Sequence, residues 1–128
     1  MDFLEIKELI AEMGLKITRE IEEEELVVVE EEGRGIKEMV IDCEGEILII
    51  EQPIGIFPSR YYRWFLEKSR YLPFGALVMD EDSGTILFRN TLRLDTLDRE
   101  EFESTINSLE IFLAEHGGEL ISMSREKD

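Results

Sequence analysis

Four groups of residues in this chain are of types that could do chemistry. The first is the acidic run Glu22–Glu25, with Glu30–Glu32 behind it. Clustered carboxylates suit a hard cation, yet calcium takes about six to eight oxygens converging on one point. Consecutive glutamates on a strand alternate faces and do not converge. The run therefore reads as a solvated, charged edge that discourages strand-to-strand aggregation. The second group is Asp80-Glu81-Asp82-Ser83-Gly84. It starts like a calcium loop, but the positions that require Gly and Glu hold Thr85 and Thr91. A hairpin turn in which Gly84 supplies a positive φ accounts for these residues. The third group is Cys43 and His116, the chain's single Cys and single His. A lone thiol forms no internal disulfide, and Cys43 sits in an apolar alternating run, where a buried, inert thiol is expected. His116 falls in the last turn expected for its helix, where a cation complements the dipole. No triad, metal cluster or glycine-rich phosphate loop can be assembled, so no catalytic residue, metal or cofactor is expected.

The fourth group is the most informative. Around Pro58–Leu72 four cations, Arg60, Arg63, Lys68 and Arg70, stand against Glu67 alone in a chain of net charge −17. Tyr61, Tyr62, Trp64, Phe65 and Tyr71 are interleaved with them. Tyr, Trp and Arg are enriched at the energetic centres of protein interfaces. Two readings of this segment stand side by side: an interface helix, or a core helix whose basic face pairs with an acidic sheet.

These groups need elements to position them. Phe3, Ile6, Leu9, Ile10 and Met13 recur at helical spacing and predict a first helix over Asp2–Met13, stopped by Gly14. A β region follows: Leu26–Val29, a turn at Gly33-Arg34-Gly35, Ile36–Cys43, a turn at Glu44-Gly45, and Glu46–Glu51. Short turns make this an antiparallel meander. Lys16–Glu20 either extends it or leads into it. A second helix starts at Pro58 or Ser59, with Tyr61, Tyr62, Phe65, Leu66 and Ser69 on one face, and Pro73 ends it. Ala76–Asp80 and Thr85–Leu94 form a hairpin; Ile86, Phe88, Leu92 and Leu94 point one way, Leu87, Arg89, Thr91 and Arg93 the other. The third helix opens on a capping box, Asp98 with Glu101, and a staple of Leu97 and Phe102. Phe102, Ile106, Leu109, Phe112 and Leu113 are its buried stripe. Gly117-Gly118 is the expected stop, with residues 119–128 a frayed tail.

Leu26–Val29 and Ile47–Ile50 are apolar on both faces, whereas an antiparallel sheet with one wet face alternates. Both faces of the sheet are thus expected to be covered, in part by a second subunit or a bound segment. The residues assigned to that partner or dimer surface are Val27, Val29, Leu48 and Ile50 on the strands and Tyr61, Tyr62, Trp64 and Phe65 on the second helix. A homodimer is expected.

Composition bounds the rest. The chain has 128 residues, enough for one self-standing domain. Its 43% hydrophobic content, with seven Phe, three Tyr and one Trp, argues against disorder. Thirty-one acidic against fourteen basic residues repel nucleic acid and anionic lipid and favour basic partners. No basic and then apolar leader opens the chain, and no apolar run approaches a membrane span, so a cytoplasmic protein is expected.

The element order, helix, three strands, helix, two strands, helix, resembles the type III secretion chaperone fold of the Tir-chaperone family and its YbjN-like relatives. The likeness is most specific from Tyr61–Leu72 through Gly75, Ala76–Asp80, Gly84 and Leu92-Arg93-Leu94 to Leu97-Asp98 and the stripe Phe102, Leu109, Leu113. The second helix departs from that pattern in being aromatic and basic. The resemblance implies an α+β fold with an antiparallel sheet of about five strands and three helices. It also implies a non-enzymatic, chaperone-like module holding an extended segment of a partner protein against its sheet and helix surfaces; the two-faced strands make that segment partly apolar, and the net charge of −17 makes it preferably basic. The alternative it leaves open is a YbjN-like regulatory or sensory module binding a small ligand or a folded partner.

Overall fold

The computed structural model describes residues 1–128. Helix α1, Phe3–Glu12, starts at a capping box in which Asp2 accepts from the Glu5 amide at 2.9 Å and Glu5 accepts from the Asp2 amide. It buries Ile6, Leu9 and Ile10, and the chain leaves it through Gly14 at φ +75°. Six strands follow: β1 Lys16–Ile21, β2 Leu26–Glu31, β3 Ile36–Glu44, β4 Ile47–Gly55, β5 Ala76–Met79 and β6 Ile86–Arg93. They form one antiparallel sheet in the order β1-β2-β3-β4-β6-β5. Helix α2, Tyr62–Ser69, lies between β4 and β5 in sequence and is entered through a 3₁₀ turn at Ser59–Tyr61. Helix α3, Arg99–Ser124, closes the chain.

The sheet has six strands rather than five because Lys16–Ile21 pairs along β2. That strand is an outer one and mostly polar, so its ladder comes from backbone pairing, and Thr18 Oγ1 adds a bond to the Val28 carbonyl at 3.2 Å. The acidic run after it is a 3₁₀ turn, Glu22–Glu24, with Glu25 in the left-handed region, rather than strand.

Side-chain alternation divides the sheet. Val27, Val29, Met39, Ile41, Leu48, Ile50 and Phe88 join Ile6, Ile10, Phe65, Phe102, Ile106 and Leu109 in a single buried core. All three helices therefore lie on this one face. Polar groups within it are paired: Asn90 donates to Thr105 Oγ1 at 2.9 Å, and Gln52 donates to the Gly35 carbonyl while accepting from the Lys37 amide. Gly75, at φ +81°, lets the chain pass the Phe88 ring, where a Cβ would come within 2.7 Å. The chain's own helices cover one face of the sheet, and no element of the chain lies on the other.

Helix α3 opens on the expected capping box, Asp98 accepting from the Glu101 amide at 2.8 Å. It does not stop at Gly117-Gly118. Leu120 and Met123 continue the buried stripe beyond the glycines, and their burial outweighs the roughly 1 kcal/mol that each helical glycine costs. The residues after the helix are tied down rather than frayed. Asp128 accepts from the Ser59 amide at 2.8 Å and its hydroxyl at 2.7 Å; Arg60 reaches Glu126 at 2.7 Å and the Lys127 carbonyl at 2.9 Å; Tyr61 donates to Glu126. The hydrogen bonds from Tyr61 and Arg60 hold the Glu126 carboxyl below its ordinary value, and those from Ser59 do the same for Asp128. A depressed carboxylate contributes above its unfolded pKa and loses that contribution as pH falls through its folded pKa. The tail is thus expected to stay docked at neutral pH and to detach only below the ordinary carboxylate range of about 4. A carbon-detected NMR titration checks this: midpoints of Glu126 and Asp128 at ordinary carboxylate values would show an undocked tail.

Candidate partner-binding surfaces

Val27, Val29, Leu48 and Ile50 are 0% exposed and lie under the helices. They build the core and present nothing to a partner. The reason is one of phase. A side chain's face alternates at every residue, and a run that is apolar throughout does not say which half points inward. The complementary half is the one without helices over it, half-buried by its own neighbours, with Ile49 the deepest at 7% exposed. Leu26, Val28, Val40, Ile49, Leu87 and Val78 lie outside the core cluster, on the face without helices. Cross-strand register assembles them: Leu26, Asp42, Ile49 and Thr91 form one row, and Val28, Val40, Glu51, Arg89 and Ala76 the next. Arg89 meets Glu51 at 3.2 Å. The result is an apolar strip across the middle strands with charges set into it.

On α2 the expected surface residues divide. Phe65 is buried, its ring 4.7 Å from that of Phe57. Trp64 stands edge-on to Phe65 at 5.0 Å and to His116 at 5.4 Å, locking α2 to α3. Tyr61 is held by Glu126, and Tyr62 packs partly buried against the core. The basic residues do not pair with the sheet: Arg60 goes to the C-terminal tail, and Arg63 to Glu67 one turn on at 2.8 Å. Leu66, expected on the buried face, is 70% exposed, because Phe65, Ser69 and Leu72 follow the inward line and Leu66 stands about 100° off it. Elsewhere Tyr71, at 76% exposed, and Ile111, at 52%, make a second apolar patch. Tyr71 and Ile111 border a cavity of about 270 Å³ between α2 and α3, with Lys68, Pro73 and His116. Neither patch was assigned from the sequence; the i, i+4 and i, i+7 spacing of Phe65, Ser69 and Leu72 was the available signal for Leu66.

The groups of chemical interest remain apart. Cys43 is buried on the core face, and desolvation, then the charges of Glu25 and Asp42, push its thiol up to about 11, far from a thiolate nucleophile. His116 Nδ1 donates to the Glu119 carboxylate at 3.1 Å and packs on Trp64 and Phe112, two turns short of the helix end rather than at it. Asp80 accepts from the Ser83 amide at 3.0 Å and its hydroxyl at 2.6 Å, bonds that lower its pKa and close the hairpin turn. No group of three or more His, Cys, Asp or Glu side chains is placed to hold a metal ion. No helix is long and apolar enough to cross a membrane.

A six-stranded antiparallel sheet, backed by three helices and bare on its other face, defines an α+β protein with the type III secretion chaperone fold. The chain belongs to the type III secretion chaperone family CesT_Tir_1, whose family model matches residues 1–126. Among solved structures it is similar to the Yersinia pestis type III secretion chaperone SycH, crystallised in complex with a stable fragment of YscM2. The two are 19% identical, the match covers 92% of this chain and 95% of that one, and the TM-score is 0.54, a likeness of fold. No curated protein matches the chain. Family membership points to a non-enzymatic, chaperone-like protein that binds protein.

Proposed function

We propose that this protein holds an extended, partly apolar segment of a partner protein against the open face of its sheet. The observation that carries the reading is the strip of Leu26, Val28 and Val40, half-buried, with Ile49 sunk among them at 7% exposed, on the sheet face where no helix lies. Apolar area left in water is a driving force for association, at about 25 cal/mol per Å² removed. Alternate side chains of an extended segment suit a pleated surface, and contiguous apolar patches of this kind mark interaction sites. The net charge of −17 favours encounter with basic segments. Family membership and the SycH complex with a protein fragment support a protein rather than a metabolite as the occupant.

Capture from the native host by the full chain, read by mass spectrometry, tests this when paired with a Val28→Ser/Val40→Ser variant. Both positions are on the open strip, so the fold is kept, and the affinity for the captured partner is expected to fall about tenfold or more. Equal capture by both proteins, or saturable binding of a small metabolite with no protein recovered, would overturn the reading.

A further inference from the structure

Asp42 is the group on the open face that its surroundings do not explain. It sits between Leu26 of β2 and Ile49 of β4 in cross-strand register, two residues after Val40 on the same side of β3. It is partly buried, and no hydrogen bond or ion pair within the chain reaches its carboxylate. Burial comes first in raising its pKa, followed by the charges of Glu44, Glu24 and Glu51, all of them acidic. Two basic residues stand in the neighbouring row: Arg89 is engaged with Glu51, and Arg19 lies on β1 beside Val28, two strands away from Asp42 and making no bond to it. A carboxylate taken partly out of water without a cation costs free energy, and a cation delivered from outside removes that cost. The surrounding residues offer apolar contact on both flanks.

We infer that the open face selects a partner segment in which one lysine or arginine is flanked by apolar residues, the cation meeting Asp42 and the flanks covering Leu26, Val40 and Ile49. This rests on the segment-holding reading above and adds to it the register: one cation, at one place in the sheet. Like charge at that point is penalised by four carboxylates, so an acidic residue in the segment is rejected.

The test uses two fluorescein-labelled peptides with the same alternating valine and serine sequence, one with a central lysine and one with glutamine there. Anisotropy gives the affinities, and amide shifts of the full ¹⁵N-labelled chain give the place. The lysine peptide is expected to bind about tenfold tighter, with shifts at Leu26, Asp42 and Ile49. Asp42→Asn should level the two affinities while its thermal midpoint is not lowered, since the carboxylate it replaces has no partner to lose. Equal affinities for wild type, with shifts on the sheet face, would overturn the cation and leave the segment reading standing. Sheet-face amides that move with neither peptide would overturn both. Shifts there that depend on protein concentration alone would assign the face to a second copy and overturn the inference.

Discussion

Phe65→Ala is expected to cost about 3–5 kcal/mol of folding stability, whereas Leu66→Glu, one residue on, costs little and acts on assembly instead. Phe65 is 2% exposed and meets Phe57 and Trp64, so truncation leaves a cavity between α2 and the chain that leads into it from β4. Leu66 points to solvent, 70% exposed, and we propose that this side of α2 is the contact between two copies of the chain. A large apolar side chain so exposed on a helix suits a self-complementary interface, in which the same surface of each copy meets the other. Denaturant melts and light scattering, run on the same samples, separate the effects. Phe65→Ala should lower the unfolding midpoint; Leu66→Glu should keep it and reduce a mass of twice the chain to that of one. A wild-type protein that is monomeric across a wide concentration range overturns the dimer, and a Phe65→Ala variant as stable as wild type overturns the packing.

The elements with one wet and one dry side were legible in the sequence. β6 alternates as Ile86, Phe88 and Leu92 against Leu87, Arg89 and Thr91, and the structure buries the first set deeper than the second. The capping box at Asp98 marked the start of α3 because side-chain and backbone partners lie three residues apart, a wholly local signal. What was not legible depends on contacts far apart in sequence. Gly117-Gly118 has the local signature of a helix stop, and only the burial of Leu120 and Met123 against distant elements carries the helix through. Lys16–Ile21 has too few apolar residues to announce a strand, and its partner β2 makes it one. The candidate site was half legible. That Leu26–Val29 and Ile47–Ile50 have an uncovered side followed from their composition. Which side it is depends on where the helices land, and the choice of Val27, Val29, Leu48 and Ile50 took the wrong phase.

One residue from each of the paired strands β4 and β3 turns that phase into a measurement. Leu48→Ala is expected to lose about 2–5 kcal/mol, the range for truncating a fully buried leucine, because it is 0% exposed within the core shared by α1 and α3. Val40→Ala, on the opposite face, removes two methyl groups already in partial contact with water and should cost less than about 1 kcal/mol in the free protein. Partner affinity runs the other way. The Leu48→Ala protein that remains folded keeps its open strip and binds as wild type does, while Val40→Ala loses part of the contact surface and weakens binding severalfold. The two variants thus cross: one moves stability and spares binding, the other spares stability and moves binding. Urea melts and anisotropy on both proteins read the crossing directly. If Val40→Ala proved the more destabilising, the helices would cover the other face of the sheet, and Val27, Val29, Leu48 and Ile50 would return as the surface a partner meets.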